Sequence, residues 1–172
     1  MRWLGIAGAQ PASGASAAET SSVRAISERL ERLDADAARY LAAFAYVLAR
    51  GASADLRLHE AEATEMRRTL SELANLASDE ADLVVEIARS QVRMLGGTEN
   101  YVVTREFKNL STRVQRAQLL ECLFSVAAAD GSIAAAESAE ILAIAEELGF
   151  TRAEANAVKA KFRDRLSEFQ KR

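Results

Sequence analysis

The stretches DLRLHEAEATEMRRTLSEL (Asp55–Leu73) and DGSIAAAESAEILAIAEEL (Asp130–Leu148) stand 75 residues apart and match each other. The offset pairs Asp55 with Asp130, Leu58 with Ile133, Glu62 with Glu137, Glu65 with Glu140 and Met66 with Ile141. It also pairs Glu72 with Glu147 and Leu73 with Leu148. After one slipped residue, Glu80-Ala81-Asp82 meets Glu154-Ala155-Asn156, and Val84 meets Val158. An apolar helix precedes each copy. The shared unit is therefore an apolar helix, a loop of the form Asp-x-x-(Leu/Ile)-x-x-x-Glu, a helix, a short turn and a further helix. Such self-similarity marks a duplicated unit whose copies bury their apolar faces against each other. The expected fold is all-α: a single-domain bundle of about seven to eight helices. Its internal pseudo-two-fold repeat has halves near 36–95 and 112–169.

The rest of the chain agrees with this fold. Alanine, the best helix former, fills 36 of 172 positions. The lone proline is Pro11, so nothing beyond it is barred from a helix. Helices are expected over 22–33, 36–50, 59–75, from Ala77 or Ser78 to Gly96-Gly97, 99–110, 113–128, 134–148 and 152–169. Asp34 or Asp36, Thr98, Thr112 with Gln115 and Thr151 with Glu154 are the expected caps. The segments 36–50 and 113–128 are apolar nearly all round and should lie at the centre. No segment alternates with period two, so no strands are expected.

Composition excludes several chemistries. One cysteine, Cys122, makes no internal disulfide, and with one histidine, His59, it cannot supply the roughly four ligands of a Cys/His zinc site. Cys122 sits on an apolar helix and reads as a small buried hydrophobe rather than a reactive thiol. His59 lies beside Glu60 and Glu62, where it is either an exposed helix-start residue or a transition-metal ligand. No glycine-rich phosphate loop, nucleophile elbow or nucleic-acid module is present. No run reaches the ~18 apolar residues of a membrane helix.

Residues 1–20 read as a disordered tail ahead of a domain spanning 21–172, with Trp3, Leu4 and Ile6 able to give at most a weak membrane tether. Net charge is -3 but uneven. The segment 89–116 carries Arg89, Arg93, Arg105, Lys108, Arg113 and Arg116 against Glu99 and Glu106, which is +4 and leaves -7 elsewhere. That asymmetry is either a solvated helix face or a docking surface for an acidic partner.

The repeated loop also admits two readings. Asp130-Gly131-x-Ile133-x-x-x-Glu137 matches the second half of an EF-hand loop, but Val126 and Ala128 stand where the first ligands would be. A single loop offers two carboxylates. Two loops brought together would offer four: Asp55, Glu62, Asp130 and Glu137, enough with water or carbonyls for a hard divalent cation. The other reading is plain capping, with each Asp closing its loop and each Glu in the first turn of the next helix.

At this point VAAADGSIAAAESAEI (Val126–Ile141) resembles the signature of the tellurite-resistance TerB family, also found in DjlA-type membrane co-chaperones. The resemblance covers about 36–168. The first copy departs from it, with a longer loop and Leu56 where the second copy has Gly131. What the resemblance implies is an all-helical pseudo-symmetric domain that is not an enzyme. It also implies an acidic cluster, here Asp55, Glu62, Asp130 and Glu137, that binds a divalent metal ion (Ca, Mg, Mn or Zn), and a distinct basic patch. The implied role is in tellurite and chemical-stress response, as a metal-sensing or scaffolding component. It would work in the cytoplasm, near the inner face of the membrane, with protein partners and without nucleic acid. The competing expectation is a metal-independent scaffold that docks partners through 89–116.

Overall fold

The structure is a computed structural model and describes residues 15–52, 58–94 and 100–170. It consists of α1 (Ala15–Leu30), α2 (Ala35–Gly51), α3 (Glu60–Glu72), α4 (Ser78–Met94), α5 (Asn100–Leu110), α6 (Arg113–Ala127), α7 (Ala135–Glu147) and α8 (Arg152–Ala160). Two short 3-10 turns, Arg163–Arg165 and Ser167–Phe169, complete the order. Among the described residues the only β pairing is a bridge between Ile133 and Leu166.

The two apolar helices are the hubs. Along α2, Leu41, Phe44, Val47 and Leu48 are buried; along α6, Leu119, Leu120, Leu123, Phe124 and Val126 are. The hubs touch each other; α4 and α5 pack on α2, while α3, α7 and α8 pack on α6. Burying such side chains contributes about 1.5–3 kcal/mol each. A Cβ on Gly51 would stand 2.4 Å from Leu123 Cδ2, so glycine sets how closely the hubs approach. Tyr40 and Phe44 of α2 meet Phe107 of α5 with ring centroids 5.5 and 5.4 Å apart. Burial there pushes the Tyr40 phenol up to about 12.

Local signals set the helix ends. Asp34, not Asp36, caps α2, its Oδ1 accepting from the Asp36 and Ala37 amides. Thr112 and Gln115 satisfy each other's backbone N–H at the start of α6. Thr151 and Glu154 do the same for α8. Gly149, at φ +90, ends α7 in the left-handed conformation that a side chain would strain. The expected cap Thr98 and the Gly96-Gly97 stop lie outside the described residues.

Two expectations need correction. The helix expected to open at residue 22 begins at Ala15, within the segment 1–20 that reads as a tail. The final helix, expected to run to 169, stops at Ala160. There the chain pairs with the Asp130 loop instead. The Ile133 N–H donates to Arg165 O at 2.7 Å, and the Ser167 N–H donates to Ile133 O at 3.0 Å. Leu166 is buried by this turn, and Phe162 stacks on Phe124. Phe169 is 54 % exposed and lies under Arg163.

Candidate functional site

The Asp130 loop joins α6 to α7. Asp130 is exposed, and its Oδ1 accepts the Ser132 N–H at 3.0 Å, a local turn that an Asp side chain makes well. Gly131 at φ +102 supplies the left-handed residue this turn requires. One turn into α7, Glu137 reaches back and accepts the Ala134 N–H at 2.7 Å. Ala134 has no side-chain acceptor, so only this half of a capping box exists. The first copy repeats the device: Glu62 accepts the His59 N–H at 2.7 Å at the start of α3. His59 is the exposed N-cap residue.

These side chains thus have capping roles. Among the described residues no three His, Cys, Asp or Glu side chains are grouped where a metal ion could be held, so Glu62, Asp130 and Glu137 do not form such a group by themselves. Asp55 lies outside the described residues. Asp130 and Glu137 each engage one carboxylate oxygen; their second oxygens have no hydrogen-bond partner among the described residues.

The other matched acidic pairs do more. Glu140 and Glu147, two turns apart on α7, both hold Arg50 from the end of α2. Arg50 Nε donates to Glu140 at 2.6 Å, and its Nη atoms donate to Glu147 at 2.6 and 3.0 Å. Nη1 also donates to the buried Thr104 hydroxyl of α5 at 2.9 Å. Arg50 is only 7 % exposed. Burial works against its charge, but the hydrogen bonds and charges of Glu147 and Glu140 outweigh it, and its pKa rises.

In the first copy Arg68 bridges Glu65 and Glu72 from within α3. There Ser125 of α6, the position equivalent to Arg50, donates to Glu65 at 2.7 Å. Side-chain length follows helix spacing. The helix α3 packs directly along α6, so a serine reaches. The helices α2 and α7 touch less closely, with α5 packed on both, and a longer arginine spans from one to the other. Arg68 holds the Glu65 carboxyl below its usual range, which makes it a poor base for the Ser125 hydroxyl. The Arg50 network escaped the sequence reading. The signal was an arginine closing the apolar stretch Leu41–Ala49, together with two glutamates seven apart that recur in both copies of the repeat.

The basic segment is partly occupied. Arg116 Nη1 donates to Leu148 O at 2.8 Å and Arg113 Nη1 to Gly149 O at 3.2 Å. Lys108 Nζ lies 3.2 Å from where a Gly149 Cβ would stand. All three cations crowd the carbonyl end of α7, where the helix dipole favours positive charge. Arg113 also pairs with Glu154 and stacks over Phe150. Arg89 pairs with Glu60 at 2.7 Å. The Arg93 side chain lies outside the described residues. Arg105 is exposed, with no partner among the described residues, on the same helix as the exposed Tyr101 and Val102.

Two expectations follow for experiment. The Thr151 amide, then Arg113 and the Thr151 hydroxyl, hold Glu154 down to about 2. A carboxylate depressed by folding stabilises above its unfolded value and ceases to as pH falls through its folded one. The Glu154 contribution is therefore complete above about pH 4.5 and fades towards pH 2. Comparing wild-type and Glu154→Gln melting across this range should show the two converging on acidification. Cys122 is fully buried, and burial pushes its thiol up to about 12 despite a hydrogen bond with Thr69. A colourimetric thiol reagent should leave it unmodified in the native protein and titrate one thiol in denaturant.

The geometry defines a class: an all-helical, two-repeat domain in which a glutamate caps the second helix of each repeat, α3 and α7. The family model described as tellurite resistance protein TerB matches residues 40–160. The chain belongs to the TerB family, as its repeat and its Ala-Asp-Gly loop suggest. Comparison with curated proteins and with solved structures gives no match. Among the described residues no helix is long and apolar enough to cross a membrane.

Proposed function

We propose that this domain works by binding rather than by catalysis. In this reading a divalent cation binds weakly at Asp55, Glu62, Asp130 and Glu137, and its charge alters how a protein partner docks. The partner belongs to a stress-response complex at the inner face of the membrane. One observation carries the reading. Asp130 and Glu137 are pre-oriented by their own backbone through one oxygen each, which leaves the second oxygen of each open to a hard ion. The repeat supplies the complementary pair.

The test keeps the caps and removes the charge. Asp130→Asn and Glu137→Gln retain an acceptor for the Ser132 and Ala134 amides. Each of Ca²⁺, Mg²⁺, Mn²⁺ and Zn²⁺ is titrated while melting is followed. An ion present at ~10 times its Kd stabilises by about 1.4 kcal/mol, a rise of a few degrees. That rise should occur with at least one ion in wild type and vanish in the double variant. An equal rise in both removes the site.

A second reading is favoured by Tyr101, Val102 and Arg105, exposed on α5. It is metal-independent docking of an acidic partner through 89–116. Binding that survives chelation and is lost on Arg105→Glu supports it. Reversal of Arg113 or Arg116 is a poorer probe, because both hold the end of α7.

A further inference from the structure

We propose that the cavity where α3, the end of α6 and the C-terminal turn meet is a binding site for a small zwitterion, an α-amino acid with an apolar side chain. The cavity exists because α8 stops at Ala160 and the chain turns back to pair with the Asp130 loop. It measures ≈ 360 Å³, and neither Asp130 nor Glu137 lines it. That volume is at the small end of the range for small-molecule sites, roughly 300–1,000 Å³.

Part of the lining is apolar. Ala128 and Ala129, just past the end of α6, are too small to fill the space beside the Phe162 ring. Stacking on Phe124 fixes that ring in place. A wall of this kind takes an aliphatic side chain.

The rest of the lining is charged, and its charges are not used alike. Glu65 accepts from Arg68 and Ser125, and Lys161 pairs with Glu121 at 3.1 Å, so both are engaged by residues of the protein. Asp164 and Arg165 are different. Both are exposed, and neither side chain has a hydrogen-bond or ion-pair partner among the described residues, although the two are neighbours in sequence. Their backbone is nevertheless held. Arg165 O accepts the Ile133 N–H at 2.7 Å, and Asp164 O accepts the Gln170 side-chain amide at 3.3 Å. The cavity therefore presents one acid and one base, open and opposite in sign, beside an apolar wall.

This combination selects the ligand by charge complementarity. A simple anion would suit Arg165 but face Asp164, and a simple cation would do the reverse. A carboxylate on Arg165 and an ammonium on Asp164 satisfy both, with charge-assisted hydrogen bonds at each. An α-amino acid carries these two groups and a side chain for the wall on a single carbon.

The experiment titrates L-leucine into the full ¹⁵N-labelled chain, with leucinamide, isocaproate and glycine as probes that each lack one of the three groups. Leucine should shift the amides of Ala128, Ala129 and Lys161–Arg165 saturably. Each of the other three should bind about tenfold or more weakly, since each leaves one feature of the cavity unmatched. Asp164→Asn and Arg165→Gln should each weaken leucine by about tenfold or more. Both side chains are exposed and unpartnered, so the variants should melt with wild type. Three results would overturn the proposal. One is no saturable shift with leucine up to its solubility limit. Another is equal binding of leucinamide or isocaproate, which means that only one charge is read. The third is leucine affinity unchanged in both variants.

Discussion

Arg50→Ala is expected to lower the stability of the fold by about 3 kcal/mol, read as a drop of about 6–12 °C in melting temperature. Removing one partner of a buried ion pair costs about 3–5 kcal/mol, because the remaining charge is left without compensation. Here two glutamates and a threonine lose their partner together. The lower end of the range applies, because Glu147 is 20 % and Glu140 41 % exposed and water can reach both. Salt should change the loss little, since the guanidinium is shielded from the ions that screen surface pairs. Arg50→Met keeps the stem against its neighbours, so it should cost less than Arg50→Ala. Adding Glu147→Gln to Arg50→Met should recover part of the loss by removing an orphaned charge. Chemical denaturation of the four proteins checks the order.

Phe107→Ala should cost about 3–5 kcal/mol, the largest single loss expected from a side chain of α5. The ring is fully buried and meets both Tyr40 and Phe44, so truncation leaves a cavity between α2 and α5 that the two helices cannot easily close. Phe107 stands one turn beyond Thr104, the residue that receives the third hydrogen bond from Arg50. Loosening α5 therefore weakens the Arg50 network. The double variant Arg50→Ala/Phe107→Ala should lose less than the sum of its parts, by about 0.5–3 kcal/mol. Strict additivity would separate the aromatic cluster from the ion network and contradict the part given to α5 in both.

Much of this fold was legible in the sequence. The two all-round apolar segments became the hubs, and the paired Thr-x-x-Gln and Thr-x-x-Glu signals opened α6 and α8 at the expected residues. These features are local: periodicity and capping act within a few residues. The end of α8 was not legible, because the backbone of Ile133, some thirty residues upstream, competes for the hydrogen bonds that would have continued the helix. The basic segment read as a surface strip, but Lys108, Arg113 and Arg116 are drawn to the end of α7, and only the packing of α5 and of α6 against α7 brings them there. Arg50 was hidden for a similar reason. An arginine in an apolar helix has no visible partner until α7 is placed beside it.

For the candidate site, the sequence identified the loop carboxylates and their alternative role as caps. The capping contacts of Glu62, Asp130 and Glu137 are now placed. Whether the two loops share an ion depends on Asp55 and on charge repulsion between the copies, neither of which periodicity encodes.

Titration of Mn²⁺ into ¹⁵N-labelled protein addresses that point most directly, because the paramagnetic ion broadens amides close to it. The account predicts that amides at 55–62 and at Gly131–Glu137 lose intensity together at low Mn²⁺, and that Asp130→Asn/Glu137→Gln abolishes the effect at both loops. Broadening at one loop alone, at surface glutamates elsewhere, or nowhere would contradict a cation site shared between the two repeats.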